Sequence, residues 1–209
     1  MIVDPKTLKE DVAYRLMISA FIPRPIAFVS TRGRNGVDNC APFSFSMGVS
    51  SDPMVLAVSV SSRDGAPKDT GRNILETREF VVNLVTEDLL EKMNVASGDY
   101  APDVSEFDEA GLTRAPSDGV APPRIAESPV NFECRLLQHL VVADNTVFFG
   151  EVVRLHVADS VLTAGRVDAR KLKAIGRLGS SQYCRTQDIL EMRRPKIEGP
   201  KAARPTDAR

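Results

Sequence analysis

The chain has 209 residues, 43% of them hydrophobic, which is enough for one domain with a sizeable core. Its 27 Lys and Arg offset 28 Asp and Glu, so no global field draws it to nucleic acid or an anionic membrane, and its ligand must be recognised locally. The opening MIVDPKTLKEDVAYRL lacks the apolar core of a secretory signal and no later run is apolar enough to span a bilayer, so a cytoplasmic location is expected.

In chain order, residues 11–20 place Val12, Leu16 and Ser19 near helical spacing, and Pro23 and Pro25 end that helix. Residues 26–31 (IAFVST) and 37–40 flank the turn-forming GRNG and read as a β-hairpin. The Ser-rich stretch 41–51 reads as a loop or irregular strand, with Phe43 and Phe45 in the core, and 54–60 (MVLAVSV) as a strand. Residues 61–68 are loop material, after which Asp69-Thr70 supplies a cap for a helix over 71–78 that leads into a strand over 80–85. Thr86 caps a second helix over 87–97, whose first turn carries the acids that the helix dipole prefers.

Residues 98–129 show little periodicity and read as a long excursion of functional or interface-forming character. Two long β-patterned runs, 131–142 and 147–157, are joined by Ala143-Asp144-Asn145-Thr146 as a hairpin. A helical pattern over 169–175 precedes a small-residue loop at 176–183. The expected organisation is one domain over 1–192 and a basic tail over 193–209. The tail carries six Lys or Arg against two acids, and by composition it is either disordered or laid across a neighbouring surface.

The common catalytic signatures are absent. Three widely spaced cysteines without CxxC argue against a disulfide framework and a zinc site, and two histidines cannot build a three-histidine metal centre. There is no GxSxG, HExxH, P-loop or GxGxxG, so no metal ligands and no catalytic side chain are assigned. Strands joined by hairpins, with only short helices, predict a mainly β fold, an antiparallel barrel rather than a doubly wound sheet. A small barrel has a filled interior, so a cofactor must bind at loops or at a subunit interface.

Three small-residue segments can serve. In 61–70, Lys68 offers positive charge and the amides after Asp69 and Thr70 point from a helix N-terminus towards an anion, with Arg63 as a second cation. The competing explanation is an ordinary N-cap beside a solvated lysine, since a capping carboxylate competes for the same amides. Segment 39–51 offers amide, hydroxyl and backbone donors that suit the edge of a flat heteroaromatic ring, or is simply a Ser-rich connection. Segment 176–183 ends in Tyr183, a ring for covering a ligand or for packing. His156 reads as a strand histidine and Cys40 as a structural thiol.

RPIAFVST (24–31), NCAPFSFSMGVSSDP (39–53), KDTGRNI (68–74), EFVVNLV (79–85) and GEVVRLHV (150–157) together resemble the ordered blocks of the flavin reductase-like, FMN-binding split-barrel family, which includes flavoredoxin-type proteins. The resemblance runs from Tyr14 to Tyr183. It implies an antiparallel FMN-binding split β-barrel, a homodimer with the flavin near the interface, and NAD(P)H as reductant. By position it places Asn39, Ala41, Pro42, Phe43 and Ser44 along the isoalloxazine and Ser61, Arg63, Lys68, Asp69 and Thr70 around the ribityl phosphate. Ser46-Met47 stands where relatives read Phe-Asn, which removes any polar contact expected from position 47. In such a protein the flavin carries the chemistry, and no general acid or base is required. The alternative is an FMN-binding electron carrier or flavin-delivery partner without its own NAD(P)H oxidation. The downstream acceptor is a flavin-dependent monooxygenase or another electron acceptor.

Overall fold

Residues 26–31 are apolar or small at nearly every position because both faces of this strand are covered. In a computed structural model of the chain, which describes residues 1–63 and 65–195 (Arg63 by its backbone alone), Ala27 and Val29 pack inwards with Val58, Ile74, Phe80 and Phe148. Phe28 faces outwards into a second cluster with Cys40, Leu89, Met93, Phe107 and Ile125. Period-two alternation thus builds two cores from one strand.

The main sheet contains β1 (Ala27–Arg32), β2 (Asp38–Phe43), β3 (Ser46–Ser51), β4 (Met54–Arg63), β5 (Glu79–Leu84), β6 (Val130–Val142) and β7 (Asn145–Val157). Their spatial order is β2-β1-β5-β6-β7-β4-β3, with every pairing antiparallel. The two ends of this path, β2 and β3, are separated in sequence only by Ser44-Phe45, so the sheet must curl back on itself. The Phe45 carbonyl accepts from the Ser59 amide at 2.8 Å, which extends the β3–β4 pairing into this connection. The mainly β, antiparallel split barrel expected from the sequence is the architecture.

Helices sit around it: α1 (Glu10–Ala20), α2 (Asp69–Thr77), α3 (Leu90–Ala96), α4 (Glu106–Glu109) and α5 (Ala169–Leu172). Helix α2 buries Ile74 in the barrel cluster and so closes one side of the barrel. Gly150 on β7 lets the Phe80 ring lie against the backbone, since a Cβ there would collide with that ring and stand 2.9 Å from the Cys134 Cβ.

Several local expectations change. The Ser-rich stretch takes the irregular-strand alternative, with a register shift between Gly48 and Ser50, but Phe45 is exposed rather than in the core, while Phe43 packs against the barrel cluster. The expected loop at 61–68 is partly sheet, because β4 continues to Arg63 and Ala66–Pro67 pairs back on it. Asp69 is not the cap of α2 but its first residue; Lys68 occupies the N-cap, and no side chain caps the helix. Thr86 precedes a short 3-10 turn, Glu87–Leu89, and makes no capping bond. The 169–175 helix stops at Leu172, where Lys173 turns left-handed at φ 49°. The expected loop 176–183 is bounded by strands instead: Ile175–Arg177 and Tyr183–Arg185 form a small sheet with Arg24–Pro25.

The excursion 98–129 buries Phe107, Leu112 and Ile125 against its own chain. The expected basic tail lies outside the described residues from 196 onwards. Among the described residues no helix is long and apolar enough to cross a membrane.

Candidate functional site

A cavity of about 480 Å³ opens beside the N-terminus of α2. Asn39, Ala41, Pro42, Phe43, Lys68, Asp69 and Thr70 line it, which brings together seven of the ten residues expected at the site. The opposite wall is the end of α3 and the chain that follows, including Ser97, Tyr100 and Glu106. Ser44 and Ser61 line an adjoining, larger cavity that shares Pro42, Phe43 and Lys68 with the first. The side chain of Arg63 is outside the described set.

The first-turn amides of α2 are the main electrostatic feature. With no side-chain cap, the positive end of the helix dipole stands at the cavity, whose lining includes Lys68, Asp69 and Thr70. Asp69 does not compete for those amides: its carboxylate pairs with Arg72 at 2.5 Å. The competition foreseen from the sequence therefore does not arise. Lys68 is exposed at the cavity mouth.

This helix start is held by a buried polar chain. Thr70 Oγ1 donates to Asn39 Oδ1 at 2.9 Å, and Asn39 Nδ2 donates to Glu106 Oε1 at 2.7 Å. Glu106 Oε2 accepts the Cys40 amide at 3.2 Å, while Asn73 Nδ2 donates to Thr31 Oγ1 at 3.0 Å. Asn39 and Thr70 thus use their side chains on each other, and what Thr70 offers the cavity is its backbone. Burial pushes the Glu106 carboxyl above its usual range, against the opposing effect of the amides and of Asn39. Nothing in the sequence pointed to Glu106, because a single acid in an aperiodic polar stretch reads as exposed.

The remaining candidates are structural. Burial, chiefly, drives the Cys40 thiol far above its usual range, so it stays protonated. His156 Nε2 lies 2.6 Å from Glu133 Oε1. Both Glu133 oxygens also accept amides, from Asp118 at 2.9 Å and Gly119 at 2.6 Å, which clips the excursion to the barrel. Burial alone would raise the Glu133 carboxyl, but these donors hold it below its usual range. Asp118, Glu133 and His156 have spacing suited to a cation, yet the Glu133 oxygens are already engaged by these bonds.

The sequence profile described as "Flavin reductase like domain" matches residues 18–174. An uncharacterised protein of Aquifex aeolicus is 45% identical over 175 residues, covering 83% of this chain and 89% of its own length. Nitrilotriacetate monooxygenase component B from Bacillus cereus superposes with a TM-score of 0.88 at 33% identity, covering 92% of this chain and 98% of that one. The 2-nitrobenzoate 2-nitroreductase of Pseudomonas fluorescens gives 0.87 at 29% identity, with 97% and 100% covered.

Proposed function

The chain belongs to the flavin reductase-like domain family, and from that premise we propose that it binds FMN and is an NAD(P)H-dependent flavin reductase. The observation that carries this reading is the uncapped N-terminus of α2 with Lys68 on a cavity that the segment 41–43 also lines. A phosphate needs several N–H donors and a cation in one place, and this end of the cavity supplies both. The donor set therefore fits the phosphate of FMN, and the cavity beyond it has room for part of a planar ring.

When bound, the flavin would accept hydride from a nicotinamide and deliver reducing equivalents onwards. The residues have separable tasks. Lys68 and the amides of Asp69, Thr70 and Gly71 hold the phosphate. The Glu106–Asn39–Thr70 chain fixes the direction of those amides before any ligand arrives, which lowers the ordering cost of binding. Ala41, Pro42 and Phe43 give an apolar wall that keeps water from the ring, and Ser44 and Ser61 give polar contacts in the adjoining cavity. Arg63 is assigned to the phosphate by its place at the end of β4. No residue is assigned a proton-transfer role.

The working unit in this reading is a homodimer. Helix α1 buries none of its residues, and Val12, Leu16, Met17 and the following Phe21, at 77% exposure, are open to solvent. Helices of this kind are held by packing of an apolar face, so α1 needs a cover that the described residues do not supply. Met47 and Val49 on β3 and Leu140, Val141 and Val142 at the end of β6 are exposed as well. A second copy covers these surfaces and closes the larger cavity, whose wall includes α1. The similarity to a monooxygenase component B supports a flavin-dependent monooxygenase as the acceptor.

Titration of flavin-free protein with FMN, followed by flavin fluorescence, tests the binding. Saturable quenching is expected, and its absence in folded protein removes the proposal. Sedimentation with and without FMN tests the assembly; a monomer that binds FMN tightly defeats the interface.

A further inference from the structure

A further cavity of about 240 Å³ adjoins the one beside the α2 N-terminus and shares Pro42 and Ser97 with it. Its distinguishing feature is a pair of guanidinium groups. Arg24 is 4% exposed, although arginine is almost never buried without a charged partner. Its Nε donates to Ser44 Oγ at 3.2 Å, Nη2 to the Leu178 carbonyl at 2.9 Å, and Nη1 to the carbonyls of Ile18 and Phe21. These bonds fix its position and tie α1 to the hairpin, but carbonyls bring no net negative charge. Four of its five N–H groups are engaged in these bonds, which leaves one on Nη2.

Arg177 faces the same cavity. Its guanidinium lies over the Tyr183 ring, 4.4 Å from the centroid, and donates to the Tyr183 hydroxyl and to the Ser180 carbonyl. Among the described residues, neither Arg24 nor Arg177 makes an ion pair with a carboxylate. Burial lowers the Arg24 pKa from its ordinary value against the opposing effect of Tyr14, and the nearby Arg177 charge lowers it further. Tyr14, Asn94 and Ser97 add further hydrogen-bonding groups to the wall. Two unneutralised cations in a polar, partly enclosed space are an arrangement that a bound oxyanion stabilises.

We propose that Arg24 and Arg177 form an oxyanion site, which takes the carboxylate or phosphate of a second reactant. Ser44 and Pro42 line both this cavity and the larger one beside the 41–43 segment. A reactant anchored by its anionic end at the arginines therefore has its other end at Pro42, where the flavin ring lies; this last point rests on the FMN reading. Lys68, Asp69 and Thr70 do not line this cavity, so it is a second anion site beside the phosphate cradle of α2. Tyr183 serves by holding Arg177 in place.

Two probes separate the sources of the oxyanion: benzoate for a small carboxylate and ADP-ribose for a dinucleotide phosphate. Each is titrated by calorimetry into FMN-free and FMN-saturated protein, with the wild type, Arg177→Gln and Arg177→Lys compared. Saturable binding of at least one probe is expected. Arg177→Gln should weaken that probe by about tenfold to a hundredfold, Arg177→Lys should weaken it less, and FMN affinity should change by less than about twofold. The probe that shows this dependence identifies the source. Absence of saturable binding of both probes, or equal affinity in Arg177→Gln and wild type, overturns the site. Arginine-dependent binding in a protein that fails to bind FMN preserves the oxyanion site and removes the flavin reading instead.

Discussion

Replacing Lys68 separates helix stability from anion binding, because this residue occupies the N-cap of α2 without capping it. In Lys68→Ala the cation disappears and little else changes, since the side chain is exposed. A charge-assisted bond is worth about 1.5–3 kcal/mol when dry, but at an exposed position about 1 kcal/mol is more realistic. FMN affinity should therefore fall by about five- to tenfold, with riboflavin, which lacks the phosphate, nearly unaffected. Lys68→Asp goes further. An aspartate at the N-cap accepts from the N2 or N3 amide and strengthens the helix by about 1 kcal/mol, a rise in Tm of roughly 2–4 °C for a chain of this size. The same carboxylate occupies the donors and repels the phosphate, so FMN should weaken by about 25- to 100-fold, the sum of two such contacts. Thermal unfolding and paired FMN and riboflavin titrations read both effects. A variant that is more stable and still binds FMN normally, or one that loses both flavins equally, refutes the placement of the phosphate.

Other expectations follow from single contacts. Gly150→Ala drives a methyl group into the Phe80 ring and should cost about 1–3 kcal/mol by overpacking, measured from the denaturant midpoint. Cys40 and Cys134 are buried with strongly raised pKa values, so a chromogenic disulfide reagent should titrate only Cys184 in the native state and all three thiols after unfolding. The folded-state pKa of Glu133 is depressed, so its stabilisation is present above the unfolded value and is lost as pH falls through the folded one. Glu133→Gln should therefore be less stable than wild type by about 1.5–3 kcal/mol at neutral pH, with the gap narrowing below about pH 4. Urea unfolding across pH measures this, and a gap independent of pH would assign the loss to packing alone.

Much of the sheet was legible in the sequence because its signals are local. The GRNG turn and the alternation on either side of it specify the β1–β2 hairpin. The long runs flanking Ala143-Asp144 specify β6 and β7, with a turn tighter than expected because pairing reaches Val142 and Asn145. What was not legible depends on contacts between distant residues. Sheet pairing turns the Ser-rich stretch into strand, since β3 exists only because β4 lies beside it. Asp69 looked like a helix cap, but Arg72 one turn later attracts its carboxylate away from the amides. Glu106 gains its meaning from Asn39, 67 residues earlier in the chain, and no local pattern marks such a pair. Asn39, Ala41 and Lys68, from two of the ordered blocks, line one cavity because β2 passes the start of α2.

The central claim is tested most directly by mixing FMN-saturated protein anaerobically with NADH and, separately, with NADPH while following the visible absorption of the flavin. Bleaching by at least one nucleotide, faster than that of free FMN under the same conditions, is the result required of a flavin reductase. Flavin that stays bound and oxidised in the presence of both, yet is reduced by a chemical reductant, would contradict the reductase reading and leave an FMN-binding electron carrier in its place.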